Sequence, residues 1–199
     1  MRICCIGDSL TEGDYGVFGK RGIANVHNEN YPYFLEKSLG CEVLNYGKCG
    51  YTSTSYLKHY MDGKADVFGA DIILIMLGSN GGLDPEKEIQ GNDDYKKLIS
   101  LLKADAPQAK IVLITPPHVT ENPEFSNCGY IDRVLNARAY VKILAEKYNL
   151  PLIDLGSFDE FNKETEEIYQ SNDGLHFNEK GYKVMADFIE KELKRINII

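Results

Sequence analysis

Short apolar runs separated by amphipathic stretches set the frame of this chain. The runs are residues 3–6, 42–45, 71–77, 110–115 and 151–155. Ile72-Ile-Leu-Ile-Met-Leu77 is continuously apolar, which suits a strand that meets water on neither face. Between the runs the apolar period becomes helical. Residues 31–39 predict a short helix with Pro32 near its start, where a missing N–H is tolerated. Asn92 is placed to cap a helix running through Leu102, with Tyr95, Leu98, Ile99 and Leu102 on one face. Residues 130–148 carry Ile131, Val134, Leu135, Val141, Leu144 and Ala145 at helical spacing. Asn178 caps a final predicted helix with Tyr182, Met185, Ala186, Ile189 and Leu193 turned inward. Strands alternating with helices predict an α/β fold, a parallel sheet covered by helices on both faces.

With 199 residues, one domain spanning 1–199 is expected. The chain shows no internal repeat, low-complexity stretch or linker. Its net charge is −8, and no Lys/Arg cluster exceeds Lys96-Lys97. Neither nucleic acid nor a membrane is therefore expected as a partner, since both need basic patches. The five cysteines, Cys4, Cys5, Cys41, Cys49 and Cys128, lack C-x-x-C spacing, which fits reduced thiols better than a disulfide framework or a zinc site. Cys5 and Cys49 are expected to be buried small hydrophobes. Met1-Arg-Ile-Cys4 runs straight into a strand, with no basic and apolar leader, and no apolar run approaches the roughly 20 residues of a membrane span. A cytoplasmic location is the expectation.

Two stretches fit neither period. Residues 14–30 are rich in Gly and Asn and contain Tyr15, Phe18 and His27; residues 116–129 hold three prolines, His118 and Phe125. Long loops near strand C-termini are expected to shape a substrate site.

Ser9 stands where the first strand ends in Gly7-Asp8-Ser9-Leu10, at the sheet edge where α/β proteins bind ligands. A serine hydroxyl is a poor nucleophile without a base. Of His27, His59, His118 and His176, the last has an aspartate, Asp173, three residues before it. That carboxylate can take the Nδ1 proton and leave Nε2 free to receive the proton of a serine. Asp173-Gly174 is also, more simply, a turn signal. If Thr11-Glu12 begins a helix, backbone N–H groups point toward a developing oxyanion at Ser9. No H-E-x-x-H or clustered carboxylates suggest a metal, and Gly47-x-x-Gly50 lacks the spacing of a dinucleotide or phosphate loop, so neither metal nor cofactor is expected.

Four blocks, Gly7-Asp-Ser-Leu10, Asn45-Tyr-Gly-Lys-Cys-Gly50, Leu77-Gly-Ser-Asn-Gly81 and Asp173-Gly-Leu-His176, stand in the order found in the GDSL, or SGNH, family of serine hydrolases. The chain resembles that family over nearly its whole length. The resemblance implies a three-layer α/β/α, flavodoxin-like fold around a five-stranded parallel sheet. It implies Ser9 as nucleophile, His176 as base and Asp173 as its partner. It also implies an oxyanion hole of the Ser9 N–H, the Gly50 N–H and the Asn80 side chain, with Gly50 preferred to Gly47 because the family spaces its Asn and Gly five apart. Asp8 is structural in this pattern. One departure is Gly81, where the family usually has Asp; its absence loosens the Asn80 loop and opens space beside the acyl group. Leu77-Gly-Ser-Asn80 and Thr115-Pro-Pro-His118 look most like the sialate O-acetylesterase-like or carbohydrate esterase branch. The implied substrate is a small-molecule ester, an acetylated sugar. A lysophospholipase or acyl-thioester hydrolase is the alternative and would need an apolar acyl channel. A non-catalytic carbohydrate-binding domain is a second alternative, against which the complete set of blocks stands.

Overall fold

The computed structural model describes residues 1–16 and 25–199. Five strands form one parallel sheet: β1 (Arg2–Gly7), β2 (Glu42–Gly47), β3 (Ile72–Met76), β4 (Lys110–Ile114) and β5 (Leu152–Ile153), in the order β2-β1-β3-β4-β5. The helices are α1 (Ser9–Glu12), α2 (Tyr31–Leu39), α3 (Ser53–Met61), α4 (Gln90–Asp105), α5 (Ile131–Tyr148), α6 (Glu166–Tyr169) and α7 (Glu179–Arg195).

Alternation along the strands divides the core. Ile3, Cys5, Ile72, Leu74, Met76, Val112 and Ile114 face α2 and α7, against Tyr31, Leu35, Tyr182, Met185 and Ile189. Cys4, Ile6, Ile73, Ile75, Ile111 and Leu113 face α3, α4 and α5, against Tyr56, Leu57, Tyr95, Leu98, Val141 and Leu144. Burying both faces gives three layers, and each fully buried Leu or Ile contributes about 1.5–3 kcal/mol. The chain crosses from one face to the other around β1, so the switch in strand order lies between β1 and β3, where such sheets open a crevice at their C-terminal edge.

Several local expectations change. Asn92 does not cap α4, which begins two residues earlier at Gln90 behind Ile89. Instead its side chain accepts the Asp84 N–H at 3.1 Å and donates to the Asp84 and Lys87 carbonyls, so a tertiary contact uses the amide that a cap would have used. Leu135, expected inward, is 48% exposed, while Ala137 and Tyr140 are buried. α5 turns its small Ala137 to the sheet, because a β-carbon at Gly78 would stand only 2.6 Å from the Ala137 Cβ and no bulkier face fits there. The apolar pattern gives no sign of α3. Its signal is weak because Tyr, His, Ser and Lys fill it, yet Thr52 and Ser55 close a reciprocal cap at its start. β2 is an edge strand with partly exposed residues, unlike the doubly covered strands around it. Of the loop at 14–30, Phe18 lies outside the described residues. Asp14 and Val26 pair as an isolated antiparallel bridge.

Candidate active site

The site begins with steric necessity at Gly7. A β-carbon there would run into Thr11 Oγ1 and stand 2.6 Å from the Met76 carbonyl, so only glycine lets β1 turn this tightly into α1. Asp8 then caps α1, its Oδ1 accepting the Leu10 N–H at 3.1 Å, while Oδ2 accepts the Ser79 hydroxyl. Burial pushes the Asp8 carboxyl up, against these hydrogen bonds. Asp8 therefore joins the turn after β1 to the turn after β3, the structural role expected of it. Ser9 is the first residue of α1, so its N–H has no acceptor within the helix.

The turn at 171–176 brings the base to Ser9. Asp173 Oδ1 accepts from Ser171 Oγ, the Leu175 N–H and the His176 N–H, each at 2.9 Å. Oδ2 remains for His176 Nδ1 at 2.5 Å, and His176 Nε2 lies 2.8 Å from Ser9 Oγ. Ser9, His176 and Asp173 thus form one hydrogen-bonded line across 167 residues of sequence. Burial opposes charge on His176, but the hydrogen bond and charge of Asp173, with Asp14 and Asp8 adding, raise its pKa above the ordinary value. Against its own burial, Asp173 is held down at about 2 by His176 and by the N–H groups of Leu175 and His176.

The loop at 116–129 braces this turn. The Thr120 N–H donates to the Gly174 carbonyl and the Asn127 N–H to the Asp173 carbonyl, at 2.9 and 3.1 Å. Gly174 has φ +73°, and a β-carbon there would collide with Thr120. Arg138 in turn holds the Pro116 and Pro117 carbonyls, and His118 pairs with buried Glu166 at 2.7 Å. His27 stacks on Tyr15, and His59 is buried with its Nε2 unpartnered among the described residues.

The two glycines after β2 play different parts. Gly47 is buried, and a β-carbon there would strike the Glu12 backbone nitrogen, so it allows β2 to approach α1. Asn45 completes that contact, donating to the Thr11 carbonyl at 2.8 Å and accepting the Gly47 N–H at 2.9 Å. Gly50 is exposed, has φ +76° and open space around it, and its N–H meets no acceptor among the described residues. Asn80 donates one amide proton to the Tyr51 carbonyl at 3.1 Å, which sets its side chain beside the Gly50–Tyr51 segment and leaves the second proton available. The missing Asp at position 81 was expected to open space beside Gly81, but that space is filled. Arg133 occupies it, its Cδ 3.3 Å from where a β-carbon would stand and its guanidinium 3.4 Å over the Tyr130 ring. Ser79, through Asp8, fixes the Asn80 loop without a residue-81 carboxylate.

Other participants were not legible as such. Gly16 packs over Asp173, and Asp14 Oδ2 lies 3.8 Å from His176 Nε2. Glu12 holds Lys48 at 2.9 Å and the Cys49 N–H at 2.5 Å. Cys49 is half-buried rather than buried as expected, and its thiol points to Asp14 at 3.7 Å, pushed up in pKa by burial and by the Glu12 and Asp14 carboxylates. The string Thr11-Glu-Gly-Asp14, two residues after Ser9, was the available signal for these groups. Among the described residues no cluster of three or more His, Cys, Asp or Glu could hold a metal ion, and no helix is long and apolar enough to cross a membrane.

Residues 5–184 match the GDSL-like lipase/acylhydrolase family. The chain belongs to this family. An acetylxylan esterase from Xylanibacter ruminicola is 27% identical over 98% of this chain but 43% of its own length, so the chain spans about two fifths of that curated relative. Among solved structures, an aryl esterase from M. smegmatis superposes with a TM-score of 0.73 at 20% identity, covering 100% of this chain and 99% of that one. A carbohydrate acetylesterase from Sinorhizobium meliloti does so with a TM-score of 0.72 at 17% identity, covering 98% and 99%. At these identities the two structures show that the GDSL-like chain shares their three-layer fold.

Proposed function

We propose that this protein is a serine esterase that removes small acyl groups, acetyl foremost, from a carbohydrate through an acyl-Ser9 intermediate. The observation that carries the reading is the unbroken line from Ser9 Oγ to His176 Nε2 and from Nδ1 to Asp173. Ser9 attacks the ester carbonyl as His176 takes its proton. The tetrahedral oxyanion meets the Ser9 N–H, the Gly50 N–H and the free proton of the Asn80 amide. His176 then protonates the leaving alkoxide, and a water repeats the sequence to release the acid.

The substrate class is supported from two sides. One relative along nearly the whole chain is an acetylxylan esterase, and a carbohydrate acetylesterase shares the fold. The side chain beside His176 Nε2 is the carboxylate of Asp14, and the Cys49 thiol in turn contacts Asp14, so this edge of the site is polar. A long acyl chain gains about 0.8 kcal/mol per CH₂ only where apolar surface receives it.

The test is a series of p-nitrophenyl esters from acetyl to dodecanoyl, run beside acetylated xylan oligosaccharides, with fluorophosphonate labelling located by mass spectrometry. The expected result is highest kcat/KM on acetyl esters, acetate release from the oligosaccharide and a label on Ser9. A rate maximum at eight carbons or beyond favours the lysophospholipase or acyl-thioester reading. Absence of both labelling and turnover overturns the esterase reading.

A further inference from the structure

A second carboxylate faces the nitrogen of His176 that carries the transferred proton. Asp14 is buried, and its Oδ2 lies 3.8 Å from Nε2. Its Oδ1 is engaged by the backbone, accepting the Gly16 N–H at 2.9 Å and the Asn25 N–H at 3.0 Å. The Asp14 carbonyl accepts the Tyr182 hydroxyl at 2.6 Å, which anchors the residue from α7. Among the described residues, Oδ2 receives only the long thiol contact from Cys49 at 3.7 Å. A buried carboxylate oxygen with so weak a donor is unfavourable unless a positive group forms beside it. Proton transfer from Ser9 to His176 forms such a group.

We infer that Asp14 is a positioning residue of the reaction, its charge stabilising the His176 imidazolium from the Nε2 side while Asp173 does so from the Nδ1 side. The inference rests on the Ser9–His176–Asp173 reading above. In acylation the Ser9 Oγ–H proton passes to Nε2 as the Oγ–carbon bond forms, and it leaves on the departing alkoxide as the carbon–oxygen ester bond breaks. In deacylation a water supplies the proton, which returns to Ser9 Oγ. A separation of 3.8 Å is too long for a hydrogen bond, so Asp14 attracts the imidazolium without holding its proton, and Nε2–H remains free for the leaving oxygen.

Among the described residues, the charges around the ring are Asp173 on its own turn, Asp14 after α1 and Asp8 at the start of α1, and the Cys49 thiol and Tyr182 reach it through Asp14. Removing the charge of Asp14 therefore lowers the pH at which His176 loses its proton, besides slowing the step that creates the imidazolium.

Asp14→Asn is the test, because the amide oxygen can still accept the Gly16 and Asn25 N–H groups. The expected result is a fall in plateau kcat of roughly tenfold, the factor that about 1.4 kcal/mol of lost imidazolium stabilisation represents, with the acid limb of kcat/KM displaced to lower pH. The His176 ring resonances should titrate at correspondingly lower pH, both in free enzyme and after phosphonylation of Ser9. A merely structural Asp14 would lower kcat and leave the acid limb and the ring titration in place, and that result overturns the inference. If Asp14→Asn melts well below the parent, Asp14→Ser, which also keeps an acceptor, is read by the same ring titration. If Ser9→Ala retains turnover, the underlying relay fails; if Ser9→Ala is inactive while the Asp14→Asn acid limb is unmoved, only the Asp14 inference fails.

Discussion

Gly16 lies against the carboxylate of Asp173: a β-carbon at position 16 would stand 2.8 Å from Asp173 Oδ2 and 2.5 Å from Ser171 Oγ. The oxygen it would crowd is the one that receives His176 Nδ1. Gly16 also has φ +78°, a backbone state that costs an L-residue about 1–2 kcal/mol. Gly16→Ala is expected to lower kcat at least tenfold with a smaller change in KM, since it disturbs the orientation of the base. Steady-state kinetics with a thermal melt checks this; loss of stability with kcat unchanged would detach Gly16 from the site.

Ser9→Ala is expected to abolish esterase turnover by several powers of ten while the fold persists, as removal of a nucleophile does in such relays. Circular dichroism and melting establish the fold. Retention of more than about a tenth of parental kcat would remove Ser9 from the mechanism.

The raised pKa of His176 has a definite sign in kinetics. Only the neutral ring accepts the serine proton, so kcat/KM should fall with pH through an inflection above 6.5, the ordinary value for histidine. Asp173 is linked to stability in the opposite direction. Its carboxyl sits at about 2 in the fold against 3.8 ordinarily, so its contribution is present above pH 3.8 and is lost as the pH falls toward 2. The stability difference between the parent and Asp173→Asn, from denaturant titrations, should therefore shrink across that interval. An inflection at or below 6.5, or a constant difference, contradicts the charge arrangement described.

Asn80 keeps one amide proton on the Tyr51 carbonyl, which aims the other. Asn80→Ala should lower kcat by about 10²–10³, the effect of one oxyanion donor, and shift KM far less. A change confined to KM would make Asn80 a binding or structural residue.

Gly47 and Gly50 separate packing from chemistry. Gly47→Ala drives a methyl into the Glu12 backbone and should lower stability by about 1–3 kcal/mol, the range for overpacking. Gly50→Ala meets nothing within 4 Å and keeps its N–H, so its effect should be backbone strain at φ +76° and a fall in kcat. The reverse pattern would exchange their roles.

Much of this arrangement was legible in the sequence, because it depends on neighbours along the chain. Continuous apolar runs such as 72–76 specify strands buried on both faces, and Tyr182, Met185, Ala186, Ile189 and Leu193 specify the inner face of α7. Asp173 and His176 are three residues apart, so one turn suffices to join them. Tertiary structure decided what depends on residues distant in sequence. Asn92 reads as a cap until Asp84 and Lys87 arrive beside it, and α5 presents Ala137 only because Gly78 lies opposite. Asp14 and Gly16 belong to a loop by composition, and their places beside His176 Nε2 and Asp173 appear only when the turn after β1 meets the turn before α7. Periodicity and short spacing encode local geometry, whereas the field at a buried ring is the sum of charges that the fold brings together from opposite ends of the sequence.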